Sequence, residues 1–223
     1  MNSGVRLNPL ARYVHSHCRS GRWELYGRAF PPRQGERILE VGVSALDAPS
    51  ENHLLEAYPY PEQIIAVGLN ELDELRARHP KVTFINADGR DLPFSDREFD
   101  IVHCNAVIEH VGPRPDQRRF VSELMRVGKR GMISTPSRWF PVDSHTNLPF
   151  LHWLPRRWHV GALRRLGRAP READWPTWLL TGRELRGLGS AGARLDLRAQ
   201  RLAGLPAVVS LLFAWPEPTG SAP

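Results

Sequence analysis

The sequence predicts an α/β domain built on a mostly parallel sheet with helices on both faces, and three observations carry that expectation. Residues 36–135 alternate short, apolar, β-branched runs with stretches of helical periodicity, the signature of βαβ units. The runs are close to continuously apolar, as strands covered on both faces must be. With 223 residues, 41% hydrophobic and 24% charged, the chain can bury one sizeable core.

Each element follows from its local pattern. Residues 8–29 read as a loosely amphipathic helix carrying Tyr13, Trp23, Leu25 and Tyr26, a cap ahead of the sheet. Strands are expected at 37–42, 63–69, 81–86, 99–104 and 131–134. Between them lie three crossover helices. Residues 50–58 start at the N-cap Ser50, 71–78 are closed by Pro80, and 116–127 place Phe120, Leu124 and Val127 on one face. The Pro- and Trp-rich stretch 135–180 is too long for an ordinary connection and is expected to carry function or a lid. Helix restarts over 181–188, where Thr181 and Glu184 have capping-box spacing and Gly189 follows the end. Residues 193–201 and 207–215 read as a closing antiparallel hairpin turning at 204–206, with a frayed tail from Pro216. The whole is one domain: a cap (1–33), a core (34–136), a variable insertion (137–180), a C-terminal helix and hairpin (181–215), and the tail.

No apolar run approaches the roughly 20 residues that span a bilayer. Arg6, Arg12, His15 and Arg19 stand where a secretory signal needs an unbroken apolar stretch, so a cytoplasmic location is expected. Cys18 and Cys104 are too few for a disulfide framework and lack zinc-site spacing. Residues 1–150 hold 19 basic and 19 acidic side chains against 11 and 5 in 151–223, so the net +6 comes from the C-terminal third. All but Lys81 and Lys129 of the basic residues are Arg, a bias that also fits a GC-rich genome.

In an open parallel sheet, ligands bind beyond the carboxyl ends of the strands, so the residues just after each strand are the informative ones. The first strand is followed by Glu40-Val41-Gly42-Val43-Ser44, where a glycine lets the backbone approach a ligand. After the second, Asn70 and Glu71 can meet ribose hydroxyls; after the third comes ADGRDLPF (87–94), and after the fourth NAVIEHV (105–111). G-x-G-x-x-G is absent, which disfavours a dinucleotide dehydrogenase.

Taken together these words resemble the class I S-adenosylmethionine-dependent methyltransferases, in particular the small type-11 group, over about residues 34–136. The resemblance implies a Rossmann-like, seven-stranded sheet with an antiparallel last strand, and S-adenosyl-L-methionine as cofactor. It assigns Glu40 and Gly42 to the methionine end of the cofactor, Asn70 and Glu71 to the ribose, and Asp88, with Gly89, to the adenine amino group; Asn105 joins the cofactor-binding set. The first loop departs from the family in having few glycines, Gly42 being followed by Ser44 and Leu46, and Asn70 stands where an acid is usual. The acceptor is expected to be a small molecule or lipid-like, methylated at oxygen or nitrogen. A hydroxyl acceptor needs a proton acceptor, and His110 and His145 are the candidates, imidazole titrating near 6.5. Glu109, His110 and His145 also resemble the ligands of a metal-dependent branch that methylates the terminal ribose of small RNAs. That branch needs another carboxylate three residues before Glu109, where this chain has Ala106, so no metal is expected.

Trp139, Phe140, Trp153 and Trp158 are candidates for an apolar acceptor wall. In 151–171, Trp153, Trp158, Val160, Leu163 and Leu166 interleave with Arg156, Arg157, Arg164, Arg165 and Arg168. Such a basic amphipathic segment suits peripheral membrane contact, or an RNA methyltransferase gripping phosphates, or simply a solvated lid. A non-catalytic binding protein on the same fold is the alternative from a different class, motivated by the glycine-poor first loop.

Overall fold

The computed structural model describes residues 9–44, 52–69, 71–146, 148–167 and 177–217, with the side chains of 9–15 excepted. Tyr13, Leu46, Ser50, Asn70, Arg168 and the last six residues therefore lie outside the described set. The five apolar runs form β1 (Ile38–Val41), β2 (Ile64–Gly68), β3 (Thr83–Asn86), β4 (Phe99–Asn105) and β5 (Gly128–Pro136), all parallel. The hairpin supplies β6 (Arg194–Leu202) and β7 (Leu205–Ala214), and β7 runs antiparallel to both β5 and β6. The order β3-β2-β1-β4-β5-β7-β6 is the expected seven-stranded, mostly parallel sheet. Its order reverses between β1 and β4, so a crevice opens beyond their carboxyl ends.

Strand alternation divides the core into two layers. Leu39, Val102 and Ile133 point to one face, where α4 (Arg114–Val127) packs Phe120, Val121, Leu124 and Met125 onto them. Ile38, Ile101 and Met132 point to the other, under α1 (Pro9–Ala29), α2 (His53–Ala57) and α3 (Asp73–Arg78), which supply Tyr26, Leu54 and Leu75, with Phe30 just past the end of α1. Each fully buried side chain of this size contributes about 1.5–3 kcal/mol.

The departures from the sequence reading have local causes. β5 starts three residues before its apolar run because Lys129 and Arg130 keep extended backbone while their heads pair with Asp100 (2.6 Å) and Glu36 (2.6 Å). The hairpin turns at Ala203 (φ 49°) and Gly204 (φ 80°), a two-residue turn with both φ positive, and Pro206 is already inside β7 opposite Arg201. The helix after the insertion, α6 (Gly182–Arg186), is shorter than expected but carries the full capping box: Glu184 N donates to Thr181 Oγ1 (3.2 Å), and Thr181 N donates to Glu184 Oε2 (2.8 Å). Within the insertion, α5 (Arg156–Arg165) buries only His159 and Leu163. Among the described residues no helix is long and apolar enough to cross a membrane.

Candidate active site

The crevice begins at the turn after β1. Gly42 has φ +94°, and a Cβ there would stand 2.1 Å from Val107 Cγ2, so only glycine lets the turn and the loop after β4 approach so closely. Gly42 N donates to Val67 O (2.7 Å), holding the turn against β2. The glycine-poor continuation is clasped by buried Asn52, whose Nδ2 donates to Ser44 O (2.8 Å) and whose Oδ1 accepts from Ser44 N (3.3 Å).

Glu40 is buried and sits in register opposite His103 on β4, and their Oε2 and Nδ1 atoms are 2.5 Å apart. The Tyr26 and His103 rings meet in a T-shaped contact, centroids 5.0 Å apart, and Trp23 stacks on Tyr26 at 5.5 Å. Burial, with the nearby Glu40 charge adding to it, pushes the Tyr26 phenol well up. The α1 side chains Arg19, Arg22 and Tyr26 thus close a small cavity over Glu40, His103 and Asn105. The Asn105 Oδ1 is buried there without a hydrogen-bond partner. His103 and Arg22 were not found by sequence reasoning, and Tyr26 was named only as part of the capping helix; the available signal was a histidine inside the apolar strand FDIVHCN, one row across from Glu40.

Along the crevice, Asp88 grips Arg90 through both carboxylate oxygens (2.7 Å to Nη2), and these bonds hold its carboxyl below the usual range. Gly89 packs so tightly that a Cβ would lie 2.4 Å from the Phe120 ring. Glu71 is exposed next to Asn70, which is outside the described residues.

On the other side of Asn105 the chain reverses through Ala106, a left-handed residue at φ 56°, and returns Glu109 and His110 over the ends of β4 and β5. Glu109 is fully buried; its Oε2 accepts from Thr135 Oγ1 (2.9 Å), while its Oε1 has no hydrogen-bond partner. The loop after β5 brings His145 to it. His145 Nε2 lies 3.1 Å from His110 Nε2 and 3.9 Å from Glu109 Oε1, and its Nδ1 is 3.2 Å from Asp143 Oδ1. Buried Asp143 also accepts from His145 N (3.1 Å) and Thr146 Oγ1 (2.8 Å). Burial pushes its carboxyl up, but His145 and these donors outweigh it and hold it at about 2. The two histidines singled out in the sequence, 35 residues apart, are therefore neighbours, and the unforeseen supports are Asp143 for His145 and Thr135 for Glu109.

The aromatic candidates separate. Trp139 (57% exposed) and Trp153 (39%) meet at 6.3 Å beside Phe150, Trp158 (61%) stands on the outer face of α5, and Phe140 turns inward against the small cluster of Cys18, Ala207 and Val208. Arg156 lies over the Trp178 ring at 4.0 Å, in a second cavity that Arg138, His152 and His159 also line.

A type-11 methyltransferase domain profile matches residues 52–133. The chain is 36% identical over 109 residues to a demethylmenaquinone methyltransferase of Clavibacter sepedonicus, covering 47% of this chain and 41% of that one. It is 30% identical over 124 residues, 53% of this chain and 42% of the other, to a phthiotriol/phenolphthiotriol dimycocerosates methyltransferase of Mycobacterium tuberculosis. The chain thus spans less than half the length of these relatives. In fold it is similar to the magnesium protoporphyrin IX methyltransferase of Synechocystis PCC 6803, solved with bound S-adenosylhomocysteine: TM-score 0.55 over 93% of this chain and 88% of that one, at 15% identity. Residues 52–133 thus match a methyltransferase domain, and the strand order with its glycine turn at the switch point makes the fold similar to that of the class I S-adenosylmethionine-dependent methyltransferases.

Proposed function

We propose that the chain transfers a methyl group from S-adenosylmethionine to a small or lipid-like acceptor, at oxygen or nitrogen. The observation that carries this reading is the cradle at Gly42, a turn no side chain fits, flanked by buried Glu40 and by the unpartnered Oδ1 of Asn105. Those residues fit the methionine end of the cofactor, and Asp88, Gly89 and Glu71 fit its adenosine end, where the family resemblance also puts Asn70. When bound, the cofactor supplies an electrophilic methyl on a positively charged sulfur, and the charge disappears as the methyl leaves. The protein's own task is alignment and exclusion of water. His103 fixes the direction of the Glu40 carboxylate, and α1 shields both. For a hydroxyl acceptor, His145, oriented through Nδ1 by Asp143, can hold the proton on Nε2, with His110 beside it.

The test is calorimetric titration with S-adenosylmethionine and S-adenosylhomocysteine of the wild type, Gly42→Val and Asp88→Ala. Micromolar binding is expected for the wild type, abolished by Gly42→Val and weakened about tenfold by Asp88→Ala, one hydrogen bond to a charged group being worth about 1.5–3 kcal/mol. A folded wild type that binds neither compound overturns the reading and favours the non-catalytic alternative.

The acceptor side is read from α5. His159 and Leu163 face inward, leaving Arg157, Trp158, Arg164 and Arg165 outward with Leu166 (56% exposed) at the end. A tryptophan ringed by arginines suits the interface of an anionic bilayer, where the indole sits at headgroup level. The names of the two curated relatives, a demethylmenaquinone and a phthiotriol methyltransferase, support a lipid-like acceptor without fixing it. The chain is expected to co-sediment with phosphatidylglycerol vesicles but not with phosphatidylcholine vesicles, and Trp158→Ala combined with Arg157→Ser and Arg165→Ser should release it. Retention on RNA that falls steeply with salt, with no vesicle binding, would instead favour the RNA reading.

A further inference from the structure

We infer that Glu109, His110 and His145 form a binding site for one divalent first-row transition-metal ion, with Glu109 Oε1 and the two Nε2 atoms as its ligands. The starting point is a buried carboxylate oxygen that no hydrogen bond reaches, although the Arg22 guanidinium is near enough to feel the Glu109 charge. Glu109 is fully buried, yet Oε1 accepts no hydrogen bond, although an unpartnered polar atom in the interior costs about 1–3 kcal/mol. It faces His145 Nε2, and the ligand atoms of Glu109, His110 and His145 all lie within 4.8 Å of one another.

Proton bookkeeping sharpens the point. In the neutral imidazole the Asp143 carboxylate, which can only accept, places the His145 proton on Nδ1 and leaves Nε2 as a lone pair. A proton on His110 Nε2 answers that lone pair across the 3.1 Å gap but does nothing for Glu109 Oε1. One cation between the three atoms answers all of them. Two nitrogens bound to a common ion at about 2.1 Å are roughly 3.0–3.4 Å apart for angles from octahedral to tetrahedral. The observed 3.1 Å falls within that span. The 3.9 Å from His145 Nε2 to Glu109 Oε1 needs only a small inward movement.

The supports are those of a metal site. Asp143 holds the far nitrogen of His145, and Thr135 Oγ1 holds the far oxygen of Glu109, each fixing the ligand atom's direction. Two imidazoles and one carboxylate select a borderline ion such as Zn²⁺, Fe²⁺ or Mn²⁺ over Mg²⁺ or Ca²⁺, and three protein ligands leave coordination positions open. Both imidazoles are accessible to solvent, so an ion and a further ligand can enter. Ala106 does not weaken the site, because three ligands already converge without a carboxylate at that position. The role, though not the binding, rests on the methyl-transfer reading: an acceptor hydroxyl in an open position would have its pKa lowered, its proton passing to solvent. His110 and His145 then act as ligands rather than as bases.

The test is titration of untagged protein with Co²⁺ alone, followed by its visible d–d absorption. A band saturating at one equivalent per chain and displaced by Zn²⁺ is expected. His110→Ala and His145→Ala should each weaken cobalt binding at least about a hundredfold, and Asp143→Asn about 10–100-fold by releasing its ligand's orientation. His110 is at the surface, so His110→Ala tests the site even if Glu109→Gln fails to fold, as far-UV circular dichroism would show. No saturable band from folded wild type, or a band unchanged in His110→Ala and His145→Ala, overturns the inference. S-adenosylmethionine calorimetry on the same samples separates the two readings. A cobalt band without cofactor binding supports the metal site and sinks the methyl-transfer reading; cofactor binding without a band does the reverse.

Discussion

A single methyl group at Gly42 would have to occupy space 2.1 Å from Val107 Cγ2, on backbone at φ +94°. Gly42→Ala is therefore expected to cost about 1–3 kcal/mol, read from urea unfolding, because strain and overpacking act together. An unchanged midpoint would mean that the turn is not as rigid as its geometry says. Glu40 and His103 make a second test: Glu40→Ala removes a hydrogen bond between buried partners and should cost about 2–3 kcal/mol, whereas the double variant Glu40→Leu/His103→Leu should recover part of that loss. At this scale the sequence showed the residues that follow strands, because strand ends can be placed from apolarity alone. The positions of Glu40 and Gly42 at the end of β1 and of Asn105 at the end of β4 were legible for that reason. His103, Asp143, Thr135 and Arg22 were not, since their meaning depends on cross-strand register and on a loop returning from 35 residues away, neither of which leaves a local pattern.

Elements were legible where a cap or a period marked them. Thr181 and Glu184 announced α6, and Thr181→Ala, which removes the hydroxyl acceptor of the box, should lower stability by about 1 kcal/mol in a thermal melt. α5 is held by only two buried side chains, so Leu163→Ala should loosen it without unfolding the sheet. Faster proteolysis within 151–167 at an unchanged midpoint would show this, and coincident loss of both would show that α5 belongs to the main cooperative unit. β5 was read too short because Lys129 and Arg130 disguise extended backbone as polar loop. The hairpin turn was misplaced by the pull of Gly204 and Pro206 together, when the backbone uses Ala203 and Gly204.

Across the whole molecule the two core layers share one sheet, so acid titration of a few carboxylates should be felt globally. The Arg126 fork lowers the carboxyl of Glu123, and the Arg90 fork lowers that of Asp88. A folded-state value below the unfolded one, near 4, gives stability that is present above that pH and lost as pH falls through the folded values. The melting temperature should thus be level from about pH 7 to 5 and decline below about pH 4, and Glu123→Gln should flatten the decline; an identical slope in that variant would remove Glu123 from the account. The sheet that joins the layers also has two ends. β3 offers only four residues, and β6 faces outward with Arg194, Asp196, Arg198 and Arg201 exposed along its length. A second copy aligning its β6 alongside in parallel register would set like charges against each other at Arg194, Asp196, Arg198 and Arg201, while the short β3 gives few amides to template growth. Charge at one border and brevity at the other thus disfavour the extension of the sheet by a second copy, and the chain is expected to stay free of edge-to-edge polymers on concentration, as light scattering would show.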